Sequence, residues 1–449
     1  MSDSFVARAS RTLDGATLFA KNSDRRGRES QPFVQLPAAF HPRGSRLRCT
    51  HLEIDQVAET YRVMGHSPVW CWGFEQGVNE LGVAIGNQAT WSCEPLEQQP
   101  GLLGSDLVRL GLERGRDARE ALEVIATLVE SHGQGGSAFA AEGDGGCQNS
   151  FAIADGRSAW VLETTARRWA ARSVESARLT NALTLGDDWE FGSRDLERHA
   201  AQDGHWSGVG RLDFRAAYGR RDELAFLIER RVEASERLLA GPPIAVESLK
   251  TWLRDHGRRP EPPRSCLDPS DPDRYSICMH ADPVSTTTAS LVVRLPDSSD
   301  GDPWPVWISF ATPCTGIFMP VYLDGVLPPS LAASGGAFRS GATSEATPRT
   351  ISDSNPRPQT RSVWESMRTL QEQAAKDYDR SLPILRAEWA ELASRIETDR
   401  MQAEAEAIAL GAVDRRQARA DVLSAFMART TSRVMEESRR LVRLIGSRR

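Results

Sequence analysis

Residues 2–25 read SDSFVARASRTLDGATLFAKNSDR, and what this stretch forms decides the rest of the chain. Two β-type runs, SFVARA (4–9) and ATLFAK (16–21), stand close together around a turn signal, so the extreme N-terminus is expected to lie inside a sheet. Free termini normally fray, which makes a pinned one informative. Ser2 follows Met1 directly, and a residue that small permits removal of the methionine by the processing aminopeptidase. A serine hydroxyl is a poor nucleophile without a base in reach. An N-terminal serine carries its own base, because an α-amino group titrates near roughly 7.7–8.0 and is partly neutral at physiological pH. The plain alternative is an ordinary pinned strand, since most chains that begin Met-Ser have no N-terminal catalysis.

Composition sets outer bounds on this reading. A chain of 449 residues exceeds the size at which single cores stop growing, and accommodates two or three domains or one large α/β domain with an appendage. A hydrophobic fraction of 40 % with twelve tryptophans indicates a globular body, and 26 % charged residues with a net charge of −6 give no basic excess for nucleic acid. The arginines near the C-terminus (Arg439, Arg440, Arg443, Arg448, Arg449) alternate with apolar residues at helical spacing. No apolar run reaches the roughly 18 residues of a membrane span, and no signal peptide precedes the first strand, so a cytoplasmic location is expected. Seven cysteines, Cys49, Cys71, Cys93, Cys147, Cys266, Cys278 and Cys314, are scattered with no C-x-x-C pair and no histidine cluster at zinc-ligand spacing. They read as reduced, mostly buried thiols, and neither a metal nor an organic cofactor is expected.

Along the chain, further β-type runs recur up to about Leu323: GVAIGNQATW, SFAIAD, SAWVLETTARRWAA, ARLTNALTL, TTTASLVVRL, PVWISFA and FMPVYL. Helical stretches lie between them: GSDLVRLGLER, DAREALEVIATLVESHG with Asp117 and Glu120 as a start signature and Gly133 as a stop, DELAFLIERRVEASERLLAG, and AVESLKTWLRDHG. Strands grouped early and late around helices predict two stacked sheets flanked by helices rather than a doubly wound parallel sheet. Residues 2–327 form that body. Residues 328–360, rich in Pro, Ser, Gly and Thr, read as a linker, and 361–449 as a helical region interrupted at Pro383. No fixed-period repeat is present.

Several separated blocks together resemble a known family. SDSFVA, DGATLFAKNSDR, CTHLEIDQVAETYRV, VWCWGFEQGVNELGVAIGNQATW, LLGSDLVRLGLERG, SHGQGGS, AWVLETTARRWAA and ICMHADPVSTTTASLVV occur in the order found in the secernins and the bacterial dipeptidases grouped with them. The resemblance implies an α+β fold, the N-terminal nucleophile hydrolase αββα sandwich of two antiparallel sheets, here with a C-terminal helical appendage, and hydrolysis of short peptides. It places Ser2 where relatives typically carry cysteine. In the wider superfamily an Arg, with an Asp three residues later, lies beside the nucleophile; the matching positions in KNSDR are Lys21 and Asp24. Asp24 would position the α-amine, and Lys21 would lower its pKa by like-charge proximity. The LTN run gives Asn181 as an oxyanion donor, worth on the order of 3–4 kcal/mol to the barrier. Asn87 is the second amide candidate and Asn79 a third. Each has a structural alternative: NSDR suits a turn, and a buried Asn often caps a bulge.

Other features are set aside. GQGGS (133–137) and GDGG (143–146) lack the lysine and the strand-helix context of a phosphate loop. His280, beside Cys278 in CMHADP, reads as structural, because an N-terminal mechanism has no need of it. Trp70, Trp72, Trp91, Trp160 and Trp169 read as core, with one or two lining a pocket. The expected activity is a dipeptidase-like amide hydrolysis through an acyl-enzyme, with catalytic residues Ser2, Asp24, Lys21, Asn181 and Asn87. An acylase of non-peptide linear amides and a non-catalytic scaffold are the alternatives. The expected partners are a short peptide or small amide, with no nucleic acid and no membrane, and the C-terminal helices are available to a second copy or another protein.

Overall fold

The computed structural model describes residues 1–26, 29–95, 100–138, 146–219, 225–257, 274–282, 284–297, 301–333, 362–411 and 416–447. Side chains alternate sides along a strand, and the first strand, Ser2–Ala7, uses both sides. Phe5 and Ala7 join one apolar cluster and Val6 another. The same division runs through Leu18–Arg25, where Leu18 and Ala20 face outward and Phe19 inward.

Two antiparallel sheets result. The first has the order Ser176–Leu179, Ser2–Ala7, Leu18–Arg25, Ser285–Arg294, Val306–Phe310, Met319–Val321, with the short strand His280–Ala281 also paired to Ser285–Arg294. The second runs Phe191–Gly192, Arg168–Ser173, Ala159–Thr165, Gln148–Ala154, Ala84–Thr90, Gln76–Asn79, Val63–His66, Phe33–Leu36. Between the sheets, Val6, Phe19, Leu291 and Val293 meet Ala84, Ala152, Ala154 and Val161. The outer face of the second sheet (Ile85, Phe151, Ile153, Leu162) is covered by helices Gly104–Arg114 and Ala118–His132. The outer face of the first (Phe5, Leu18, Ala20, Val292, Trp307) is covered by helices Ala225–Leu239 and Val246–Trp252. The layers are therefore α, β, β, α, as runs with apolar residues at successive positions require, since each sheet must then bury two faces.

The helix-start reading at Asp117 corresponds to a cap: its side chain accepts from the Glu120 amide at 2.8 Å. Strands Phe33–Leu36, Val63–His66 and Gln76–Asn79 had no clear sequence signal, being four residues each with glycine or polar residues interleaved. Three helices, Val363–Ala374, Tyr378–Ala409 and Arg416–Ser447, follow the body. Val363, Leu370, Leu385, Trp389, Leu423 and Phe426 extend the inter-sheet core beyond the edge strand Met319–Val321.

Two sequence expectations are corrected here. Pro383 does not interrupt the helical region; it is the sixth residue of a 32-residue helix. So close to the N-terminus a proline forfeits a single carbonyl partner, and burial of Leu382, Leu385 and Trp389 outweighs that loss. The Pro/Ser-rich stretch from 328 begins as folded chain: Pro329–Ala332 is a helical turn with Leu331 buried, and its residues 334–360 lie outside the described ones. No described helix is long and apolar enough to cross a membrane.

Candidate active site

Ser2 opens the first strand, paired opposite Ser23 in the antiparallel register. It is 3 % exposed. Its backbone nitrogen donates to Asn181 Oδ1 at 3.1 Å. Its hydroxyl donates to the Met1 carbonyl, and its own carbonyl accepts from Arg231 at 3.3 Å. Met1 is clamped by the backbone of Asp24: the terminal ammonium donates to the Asp24 carbonyl at 3.0 Å, and the Asp24 amide donates to the Met1 carbonyl at 2.9 Å. The Met1 side chain packs on Tyr275, Met279 and Ala281. The terminus is thus enclosed, and burial pushes the amine's pKa down, with Arg25 and Arg231 acting in the same direction against the carboxylates of Asp24 and Glu75.

Asn181 is oriented by a group that can only donate. Arg231 gives a hydrogen bond to Asn181 Oδ1 at 2.8 Å and pairs with Asp3 at 3.0 Å, all of it fully buried. Asn181 Nδ2 therefore points the other way and donates to the Ala89 carbonyl at 2.7 Å, leaving its second N–H available. Arg231 was invisible as a site residue in the sequence. The signal that existed is its place on the buried stripe of an amphipathic helix, three residues after Ile228 and four before Ser235.

Asp24 Oδ1 accepts from Thr287 at 2.7 Å, while Oδ2 is buried with no hydrogen-bond partner. Burial raises the Asp24 pKa, opposed by the terminal amine and Arg231. In the Met1-bearing chain it is the Asp24 main chain, rather than its carboxylate, that takes the ammonium. Asp3 is likewise raised by burial, to about 6, against Arg231.

Lys21 is buried on the inner face, with Nζ 3.6 Å from Glu75 Oε2. Burial lowers its pKa to about 8, offset in part by Glu75 and Asp24. Its stem crosses Gly86 of the second sheet, where an added Cβ would fall 2.4 Å from Lys21 Cδ. Lys21 does not reach the cleft wall; Arg25 and Glu75 do. Glu75 accepts from Ser23 at 3.2 Å and from Arg25 at 3.5 Å. Burial alone would raise its pKa, but Arg25 and Lys21 together hold it below the usual carboxylate value.

A cleft of about 240 Å³ opens on Ser2, and both sheets line it: Met1, Ser2, Asp24 and Arg25 from the first, Glu75, Asn87 and Asn149 from the second. Asn87 Nδ2 donates to Asn149 Oδ1 at 3.0 Å, which leaves one N–H of Asn87 unused. Both amides press on Gly104, the first residue of its helix, where a Cβ would stand 2.0 Å from Asn149 Oδ1 and 2.5 Å from Asn87 Nδ2. Asn79 is elsewhere and fully engaged: Nδ2 donates to the Leu112 and Gly115 carbonyls, and Oδ1 accepts from the Leu81 and Val83 amides. Its role is to shape a turn.

Trp70 and Trp91 line the cleft, whereas Trp72, Trp160 and Trp169 pack under the helices of the second sheet. Ala138 and Gly146 also border it; of the GDGG run, residues 143–145 lie outside the described ones. Cys147 is on the wall too, but burial pushes its thiol up to about 11, so it is protonated at neutral pH. His280 and Cys278 are absent from this cleft's lining.

Residues 5–225 match the family model of peptidase family C69. Among solved structures, a mutant of conjugated bile acid hydrolase from Clostridium perfringens is 14 % identical, with 69 % of this chain and 89 % of that chain covered at a TM-score of 0.38. Penicillin V acylase from Agrobacterium tumefaciens is also 14 % identical, with 71 % and 86 % covered at a TM-score of 0.39. An N-acylethanolamine-hydrolyzing acid amidase orthologue from Caenorhabditis elegans is 12 % identical, with 66 % and 95 % covered at a TM-score of 0.33. The matched segment runs from the first strand to the start of the helix that carries Arg231, and over these residues, 5–225, the chain is similar to peptidase family C69, which includes the secernins and related dipeptidases.

Proposed function

We propose that this chain hydrolyses short peptides, with Ser2 as an N-terminal nucleophile released by removal of Met1. The observation that carries the reading is the environment of Ser2. Its nitrogen is fixed on Asn181 Oδ1, and the residue lines a cleft that also holds Asp24 and Asn87. Loss of Met1 turns that nitrogen into a buried amine and frees the hydroxyl from the Met1 carbonyl.

In the proposed cycle, the neutral α-amine accepts the Ser2 hydroxyl proton as Oγ attacks the scissile carbonyl carbon. The tetrahedral oxyanion is met by the unused N–H groups of Asn181 and Asn87. The protonated amine then gives its proton to the departing amine of the substrate, and an ester remains on Ser2. Water, deprotonated by the same amine, hydrolyses the ester and regenerates Ser2. Asp24, with Oδ2 unbonded, is the acceptor that holds the α-amine in place. Arg231 is a positioning residue: it fixes the Asn181 amide and the Ser2 carbonyl without touching substrate. Lys21 acts at one remove, by holding Glu75 in the wall.

The substrate size follows from the cleft. With Met1 still in its wall the cleft holds about 240 Å³, and loss of that residue enlarges it toward the lower part of the roughly 300–1,000 Å³ range of small-molecule pockets, which favours a dipeptide or a comparably small amide, here in a cytoplasmic setting. The test is direct. Intact mass establishes whether the purified chain begins at Ser2, and turnover of a dipeptide panel is compared between wild type and Ser2→Ala. Loss of at least about 10³-fold in kcat is expected. Retention of Met1 in an active enzyme, or equal turnover by Ser2→Ala, removes Ser2 as nucleophile.

A further inference from the structure

Next to the strand that grips Asp24 lies a second constellation that the peptidase reading does not use. His256, Cys278, His280 and Cys314 come from separate points of the chain, and one ligand atom of each lies within 4.8 Å of the others. His256 follows the helix Val246–Trp252, Cys278 and His280 flank the start of the strand His280–Ala281, and Cys314 sits in the turn after Val306–Phe310. His280 Nε2 is 3.4 Å from Cys278 Sγ and 3.3 Å from Cys314 Sγ. His256 is buried, and its Nε2 has no hydrogen-bond partner. Its ring stands edge-on to His280, with centroids 5.2 Å apart.

Ordinary hydrogen bonding does not account for this set. Thiols are weak donors, and two of them compete for one histidine nitrogen while a second buried histidine nitrogen goes unpartnered. A disulfide would join the two sulfurs and leave both histidines without a purpose. A tetrahedral zinc ion satisfies all four atoms. With Zn–S bonds of about 2.3 Å and Zn–N bonds of about 2.0–2.1 Å, tetrahedral geometry places each sulfur about 3.6 Å from each nitrogen, close to the 3.3 and 3.4 Å found around His280 Nε2. The outer shell is also in place: His280 Nδ1 is bonded to the Tyr378 hydroxyl at 3.2 Å, which leaves Nε2 as the ligating nitrogen.

We infer that His256, Cys278, His280 and Cys314 form a structural zinc site that staples the wall of the peptidase cleft to the C-terminal helical region. Four protein ligands leave no open position for a substrate, so the site is structural rather than catalytic. Its placement says what it braces. His280–Ala281 pairs with Ser285–Thr286, Ser285 lines the cleft, and the next residue, Thr287, holds Asp24. Met279, between two of the ligands, packs against Met1 along with Ala281. Tyr378 opens the helix Tyr378–Ala409, so the outer shell reaches into the appended bundle.

The experiment is metal analysis of the full chain purified without chelator or added metal, followed by removal of the metal and titration with Co²⁺. About one zinc per chain is expected, together with the thiolate-to-cobalt absorption and intense visible bands of tetrahedral cobalt on refilling. Cys278→Ser/Cys314→Ser is expected to bind less than about a tenth of that zinc, and Cys93→Ser, whose sulfur lies elsewhere, to retain it. If the double variant does not fold, the wild-type protein decides alone. Wild type that contains no zinc and gives no thiolate-cobalt absorption overturns the proposal. So does a native mass 2 Da below the reduced value with a Cys278–Cys314 peptide. Neither readout depends on whether Ser2 is the nucleophile.

Discussion

Gly104→Ala tests the second oxyanion donor through geometry alone. The glycine begins the helix Gly104–Arg114 on the cleft wall. A Cβ there would lie 2.0 Å from Asn149 Oδ1, 2.4 Å from its Cγ and 2.5 Å from Asn87 Nδ2. An ordinary contact of 3.4 Å requires the Asn149 oxygen to retreat by 1.4 Å, the difference between 3.4 and 2.0. That amide is not free to swing, because its Nδ2 is bonded to Gln134 Oε1 at 3.0 Å and its backbone is in the sheet. Asn87 must therefore move as well, and the 3.0 Å bond between the two amides is lost. A misplacement of about 1 Å costs on the order of 10²-fold in rate, and loss of one oxyanion donor about 10²–10³-fold. The expected result is a kcat lowered about 10²–10³-fold on a dipeptide substrate, with overpacking costing about 1–3 kcal/mol in stability. Mass spectrometry would verify the same N-terminus in both proteins, and thermal melting would show that the variant is folded. Gly111→Ala is the control: its Cβ would meet Ile85 Cδ1 at 2.9 Å and Ile125 Cδ1 at 3.0 Å, under the outer helices and away from the cleft. A folded Gly104→Ala enzyme within about threefold of wild-type kcat would refute the role given to Asn87.

Arg231→Met strands Asp3 as a buried, unpaired carboxylate and should cost about 3–5 kcal/mol in urea unfolding; adding Asp3→Asn should recover most of that stability but not kcat, because Asn181 stays unanchored. Recovery of both would reduce Arg231 to a structural ion pair. His66 is fully buried between the rings of Phe33 and Phe310, and burial holds its pKa at about 4 instead of 6.5. The unfolded chain therefore takes up a proton as pH falls through 6.5 while the folded chain does not until about 4, so stability is lost across that window. The full loss is about 3 kcal/mol. His66→Gln should flatten this part of the stability-against-pH curve, and an unchanged slope would assign it to other groups.

The fold was largely legible in sequence because its strands are two-sided. Runs such as SFVARA and GVAIGNQATW place apolar side chains on successive residues, which only a sheet covered on both faces can bury, and helices of 7 to 15 residues, one of them with a start signature, supply the covers. Short strands with glycine, such as Val63–His66, carried too little pattern to be seen. Pro383 misled because a local rule was applied without its position in the helix.

For the candidate site, local chemistry singled out Ser2, since a hydroxyl and a base on one residue is a property of the N-terminal position itself. Asp24, Lys21, Asn181 and Asn87 came from the family resemblance. Which of them share a wall was a matter of three dimensions. Asp24 and Asn87 face the cleft, Asn181 bonds the Ser2 nitrogen and the Ala89 carbonyl of the cleft wall, and Lys21 stands one layer back against Glu75. Arg231 reaches Ser2 across 229 residues and His256 reaches Cys314 across 58, separations at which sequence spacing carries no distance. Periodicity and residue chemistry are properties of neighbours along the chain, so they determined the strands, the layers and the self-sufficient N-terminal serine. The anchoring of Asn181 and the convergence of two cysteines with two histidines depend on how the layers close on one another, and only the packed structure decided them.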